Sequence, residues 1–532
     1  MPISIYLSKR KNMTSANSPS KQQPALFDTH TLITQYLFVL CLLGCISGKV
    51  SAQNIEPASI FGENMVIQQG IHAPIWGAAK PGANISIRFA GKIQKVKTNA
   101  AGKWMTRLPV MKAGGPFIMA IASNGDSVVF NNVMVGEVWL ASGQSNMQFT
   151  VHEAKNSAQE ILNANYPNIH FFTVEHAISR EPLTQAEGVW KICTPENARN
   201  FSAVAYFFAR ELNRDKMVPV GIISSSWGAT PAEAWTSGGA LLHHPDFKDS
   251  VIRYRQLQED WEILYRHFLD AAETARKTKT KPPVMPAQKN YPTALFNAMI
   301  APLVPYGIKG VIWYQGENNT NGGRGLQYRS LFPLLIHDWR NQWKNDTMPF
   351  VFVQLANFKE RNTVPVPTDN WALVREAQLM TLRLSHTSMA VTIDIGDAKT
   401  IHPTNKQEVG KRLYLAANHI AYHQPGEYSG PLFKQMMIHG NKIELSFLHT
   451  GKGLLSKENT PEGFAIAGAD RKFYWADAQI KGNRVMLSSA QVPHPVAVRY
   501  AWSINPPAGL YNKEGLPASP FRTDDWLDQV SK

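Results

Sequence analysis

Ser145 stands in Gly143-Gln144-Ser145-Asn146-Met147, directly after the apolar run Val138-Trp139-Leu140-Ala141. A serine hydroxyl is a poor nucleophile unless an imidazole takes its proton and dipolar N–H groups hold the developing oxyanion. Those parts follow later apolar runs. Gly228 lies in Ser226-Trp227-Gly228-Ala229-Thr230, His402 in Ile401-His402-Pro403, and Gln315-Gly316-Glu317-Asn318-Asn319 carries side-chain amides and a carboxylate. In such a set Ser145 attacks and His402 serves as base, then as acid. The Ser145 amide, the Gly228 amide and the side chain of Asn318 or Asn319 receive the oxyanion. Glycine admits substrate close to the backbone, and a side-chain amide donates without neutralising the base. Singly, each residue has a plainer use: Ser145 and Asn319 as helix caps, Gly228 in a turn, His402 in a structural hydrogen bond. Their placement after successive strands is what points to acyl transfer.

The elements that must carry these residues follow from pattern. From Ile55 to about Asn132, short alternating runs separated by Gly and Pro clusters read as a small β-sandwich. From 133 to 425, apolar strands (Val133–Ala141, His170–Val174, Val220–Ser225, Lys309–Tyr314, Phe350–Leu355, Met389–Ile395) alternate with helical patterns (Ser202–Asn213, Tyr328–Trp343, Ala372–Leu384, Asn405–Tyr422). That alternation predicts an α/β domain with a parallel sheet covered on both faces, where ligands bind beyond the carboxyl ends of the strands. A charged helical arm between Asp246 and Arg276 is expected as an insertion at about 240–290, and the stretch 426–532 returns to β texture.

Residues 1–52 read as a secretory leader: Lys9-Arg10-Lys11, the apolar run Leu32–Ile46, then Val50-Ser51-Ala52. A lipoprotein with Cys45 as its anchor is the rival reading. The expected location is therefore the periplasm or the exterior, with no stable membrane span. Cys193 is then the one cysteine of the mature chain and is expected to be buried. The net charge of +14 falls to +10 without the leader's five basic and one acidic residues, and the cations are scattered. This excludes a nucleic-acid footprint. The His243-His244 pair lacks a third ligand at useful spacing, so neither metal nor cofactor is expected.

The blocks GEVWLASGQSNM, SSSWGATPAEAW, YPTALFNAMIAPLVPYGIKGVIWYQGENNT and DIGDAKTIHPTNKQEVGKRL resemble, in order, the catalytic blocks of the sialate O-acetylesterase family, a branch of the SGNH hydrolases. The tail from GFAIAGADRKFYWADA to GLPASPFRTDDW is similar to the family's C-terminal segment, so the likeness spans about Ile55 to Trp526. The resemblance implies an SGNH-like three-layer α/β/α domain and a carbohydrate O-acetylesterase with Ser145 as nucleophile and His402 as base. It places Gly228 and Asn319 on the oxyanion blocks. Gln144, Gln315 and Trp227 are candidate substrate contacts; of the nearby aromatics, Trp227 and Trp235 are better placed to stack on a sugar than Trp313 and Tyr314, which lie within a strand. Two departures stand out. Relatives carry Gly-Gly-Thr where this chain has Gly228-Ala229-Thr230, so residue 229 donates only if its φ is not positive. Relatives place an acid two before the histidine, where this chain has Thr400. The group orienting His402 is then Asp397, Asp394 or Glu317, or none, leaving a Ser-His dyad. The expected partner is an acetylated glycan: a sialic acid, or xylan or xyloglucan. A non-catalytic glycan binder is the alternative, and a lipase or peptidase is disfavoured by the missing Gly-x-Ser-x-Gly elbow.

Overall fold

A computed structural model describes residues 55–281, 283, 288–366, 369–458 and 460–526. The expected leader, with its cleavage and lipidation sites, lies outside the described residues. The N-terminal strands are β1 (Ile55–Pro57), β2 (Val66–Gln68), β3 (Pro74–Ala79), β4 (Asn84–Phe89), β5 (Lys92–Lys97), β6 (Lys103–Arg107) and β7 (Gly114–Ser123). They are followed by the 18-residue β8 (Asp126–Gly143). The first half of β8 alternates exposed and half-buried side chains and pairs antiparallel with β7; the second half is continuously buried. Period-two alternation suits a sheet with one wet face, and an unbroken apolar run suits a strand covered on both. The expected boundary at residues 132 and 133 thus falls inside one uninterrupted strand.

The buried half of β8 sits in the middle of β10-β9-β11-β8-β12-β13-β14, and with β2, β4, β5 and β7 these strands form one mixed sheet of 11 strands. The later members are β9 (Tyr166–Thr173), β10 (Trp190–Cys193), β11 (Val220–Ser226), β12 (Gly310–Tyr314), β13 (Phe350–Val353) and β14 (Thr387–Ala390). All pair in parallel except the edge strand β10, which was not foreseen. The final strand ends earlier than its apolar pattern suggests. Val391–Ile395 form a loop, buried as far as Ile393 and held by the Thr392 hydroxyl on the Gln354 carbonyl and by a bidentate Asp394–Arg412 pair at 2.6 and 3.0 Å.

Each face of the sheet has its own core. Val138 and Leu140 join Val311, Trp313, Phe350 and Phe352 on one side; Trp139 and Ala141 join Ile312, Tyr314, Val351 and Val353 on the other. The first cluster continues unbroken to Ile55, Ile75 and Ile87, which is why the N-terminal strands do not form a separate core. Four helices cover these faces: α2 (Ala203–Lys216) and α5 (Lys406–Tyr422) on the second, α3 (Tyr328–Trp343) and α4 (Asn370–Thr381) mainly on the first. Side-chain caps start three of them: Ser202 on α2, Asp369 on α4 and Asn405 on α5. The expected single arm is two helices, Lys248–Glu259 and Trp261–Thr278, seated through Val251 and Tyr254.

After α5 come small antiparallel sheets with a third core, including Leu432–His439 against Lys442–Leu448. Arg375 of α4, fully buried, fastens this region to the sheet by donating to the carbonyls of Leu355, Ala356, Ser503 and Ile504.

Helices α2 and α5 touch through Gly410, where a Cβ would stand 2.5 Å from the Phe207 Cβ. Alanine gains about 1 kcal/mol of helix propensity over glycine, whereas overpacking a filled interface costs about 1–3 kcal/mol. Gly410→Ala is therefore expected to lower the urea midpoint rather than raise it, and a raised midpoint would show that the helices can separate freely.

Candidate active site

Parallel pairing sets Ser226 and Tyr314 on either side of Gly143, so β8, β11 and β12 end at one level. Gly143 has φ +137, and a Cβ there would fall 2.1 Å from the Tyr314 carbonyl oxygen. Only glycine turns the chain here. The turn leads into a one-turn helix, α1 (Ser145–Gln148), capped by Gln144 without a side-chain bond. Ser145 is the first helical residue and not the cap, so its amide is among the first-turn N–H groups that lack an intrahelical acceptor.

The Ser145 hydroxyl instead meets His402: Oγ to Nε2 is 2.8 Å across 257 residues of chain. Both side chains are partly exposed. Burial lowers the imidazole's pKa, the Lys406 charge lowers it further, and the Glu153 carboxylate opposes them. Thr400 holds the histidine loop by accepting the His402 N–H at 3.1 Å. Among the described residues, no hydrogen bond joins Asp397, Asp394 or Glu317 to the imidazole. Asp397 accepts the N–H groups of Lys399 and Thr400 in its own turn, and Asp394 pairs with Arg412. Glu317 is sealed behind the serine turn, where Asn146 Nδ2 donates to its Oε1 and burial raises its pKa.

Gly228 lies against the serine: a Cβ on it would be 3.2 Å from the Ser145 Cβ. Its N–H donates to Gln148 Oε1 at 2.8 Å, so a glutamine oxygen already engages this donor. Ala229 has φ +59, the conformation in which a donor from residue 229 was not expected. Asn319 is not open to solvent. It is buried, with Nδ2 on Glu233 at 2.9 Å and Oδ1 accepting from Ala232 and Gln315. Gln315 is likewise enclosed, bonded to Thr230, Asn319 and Tyr328. Asn318 is the more open amide; its Nδ2 reaches the Ala229 carbonyl at 3.0 Å and Arg324 holds its Oδ1. Gln144 Oε1 accepts the Asn318 N–H at 3.1 Å, which joins the two strand ends.

Of the aromatic residues, Trp235, Trp313 and Tyr314 are fully buried, and Trp235 donates to the Thr230 hydroxyl. Trp227 remains at the rim, stacked on His176 at 4.2 Å and 5°. Lys289 completes this platform, with Nζ 5.5 Å from the Trp227 ring and 2.6 Å from the Gly228 carbonyl. Cys193 is buried in the core, which pushes its thiol up to about 12.

Asn146, Gln148, Glu153, Lys289 and Lys406 were not anticipated as neighbours of Ser145 and His402. Only Lys406 left a readable sign: it stands four residues after His402, at the start of a helical pattern. Among the described residues no group of His, Cys, Asp and Glu side chains is arranged to hold a metal, and no helix is long and apolar enough to cross a membrane. A partly exposed hydroxyl bonded to a neutral-leaning imidazole, beside backbone N–H groups, can perform acyl transfer.

Comparison with known proteins agrees with this chemistry. Residues 135–419 match the family described as carbohydrate esterase, sialic acid-specific acetylesterase. The sialate O-acetylesterase of Mus musculus is 31% identical over 511 residues, covering 87% of this chain and 93% of the mouse protein. The Homo sapiens protein of the same name is 30% identical, covering 87% and 91%. A crystal structure of a carbohydrate acetylesterase from Xanthomonas citri superposes with a TM-score of 0.78 at 39% identity, covering 89% of this chain and all of that one. By these matches along nearly its whole described length, this chain is an ester hydrolase and belongs to the sialic acid-specific acetylesterase family of carbohydrate esterases.

Proposed function

We propose that the protein removes O-acetyl groups from sialic acids through an acetyl-enzyme on Ser145, within an SGNH-like layered domain, after export directed by the leader. The observation that carries this reading is the 2.8 Å contact between Ser145 Oγ and His402 Nε2 at the mouth of the sheet. Ser145 Oγ attacks the acetyl carbonyl carbon while its proton passes to His402 Nε2. The N–H groups of Ser145 and Gly228 receive the oxyanion, the substrate oxygen taking the place of Gln148 Oε1, and Asn318 rather than Asn319 is the nearby side-chain amide. Collapse breaks the ester C–O bond, and the sugar oxygen leaves with the proton from His402. Water then attacks the acetyl-enzyme, giving its proton to His402, and acetate departs as Ser145 regains a proton. Acting as a dyad, His402 is held by its loop and by the field around it.

The Trp227–His176 stack offers a flat face to a sugar ring, and Lys289 beside it supplies a cation for a sugar carboxylate. This pairing favours an acidic sugar over a neutral hemicellulose. Acetate release from acetylated sialic acids, xylan and xyloglucan tests the choice, and preference for the neutral polymers would overturn it.

Ser145→Ala and His402→Ala are each expected to reduce kcat on p-nitrophenyl acetate by at least about 10³-fold while the fold persists. Wild-type rates in Ser145→Ala would leave a glycan-binding protein instead. Because burial and Lys406 favour the neutral imidazole, the base stays available below the ordinary histidine value. The acid limb of kcat/KM should have its half-point under pH 6.5, and a half-point above it would contradict the dyad's electrostatics. Lys289→Met should lower kcat/KM for acetylated sialic acid by roughly 10-fold, the effect of losing one charged contact at a half-open rim, and leave p-nitrophenyl acetate nearly unaffected.

A further inference from the structure

Lys406 is the first residue of α5 and has no exposed surface. Two costs oppose a cation there: desolvation of the ammonium and the positive end of the helix dipole. Its ammonium lies 4.7 Å from the Phe149 ring and 5.4 Å from the Tyr314 ring, and donates to Asn146 Oδ1. Asn146 Nδ2 in turn donates to the Glu317 carboxylate and, at 3.0 Å, to the Ile401 carbonyl. The asparagine next to the nucleophile is thereby tied to the residue next to the base. Rotating the amide by half a turn would set its NH2 against the ammonium and its oxygen against a carboxylate and a carbonyl, so the two opposite charges permit one orientation only.

We propose that Lys406 is a positioning residue for the hydrolysis: its ammonium locks the Asn146 amide, and the locked amide clamps the His402 loop onto the serine turn. The role rests on the reading of Ser145 and His402 as the reacting pair. Burial lowers the Lys406 pKa, Glu317 and Glu153 oppose that shift by favouring the charged form, and the same ammonium lowers the pKa of His402. The cation therefore acts on the dyad in two separable ways, through a hydrogen-bonded bridge and through its charge.

Rates on p-nitrophenyl acetate across pH in Lys406→Met, Asn146→Ala and Ser145→Ala test this. Lys406→Met should lose about 10–100-fold in kcat, the scale of a small misplacement of reacting groups, with KM changed less than about threefold. Its acid limb should move to higher pH, because the removed charge no longer opposes protonation of His402. Asn146→Ala should show a similar loss in kcat with the limb unmoved, since the cation remains. A Lys406→Met protein that is merely less heat-stable, with kcat and acid limb unchanged, overturns the proposal. If Lys406→Met is recovered unfolded, Asn146→Ala decides alone: wild-type kcat overturns the clamp, and the predicted loss upholds it. Activity surviving in Ser145→Ala overturns the underlying reading instead, so the two failures are distinct.

Discussion

The level at which three strands end governs the rest of the molecule. Gly143, Ser226 and Tyr314 are side-by-side partners in the parallel ladder, and the residues that follow them are those gathered around Ser145. In a parallel sheet a shift of one residue turns every side chain to the opposite face, so the two-sided core enforces the register. Packing of Leu140 against one layer and Trp139 against the other thus determines, at a distance, where the hydroxyl of Ser145 points. The glycine at the end of β8 completes this, because the Tyr314 carbonyl leaves no space for a side chain.

Around Ser145 and His402, polarity is arranged by burial more than by direct ion pairing. His402 lacks a bonded carboxylate among the described residues, and its environment instead favours the uncharged ring. The charges lie one layer deeper, where Glu317 and Lys406 face each other across an asparagine. Buried pairs of this kind contribute little net stability, and a unique arrangement of neighbouring groups is a better account of their presence.

Much of this was legible in the chain. Continuous apolar runs and helical periodicity marked the parallel strands and the four large helices to within a few residues, since both signals arise from burial. The errors share a cause as well. Val391 and Ile393 are buried in a loop, and pattern does not separate a buried loop from a buried strand. The division at residue 132 was inferred from a change in texture that lies within β8. Ser145 and His402, singled out for the chemistry their side chains offer, stand 2.8 Å apart. Amides carry no such mark: Asn319 and Gln315 are absorbed in a buried network, while Gln148 and Asn318 bond the backbone of Gly228 and Ala229.

The 18 residues of β8 begin in the N-terminal sheet and end at the turn that leads into Ser145. Since one apolar cluster also spans both regions, the N-terminal sheet is a graft of the hydrolase and not a detachable appendage. Chimaeras joined at the apparent change of texture would sever a continuous beam, whereas recombination after α5, where the chain enters a separate core, leaves that beam whole.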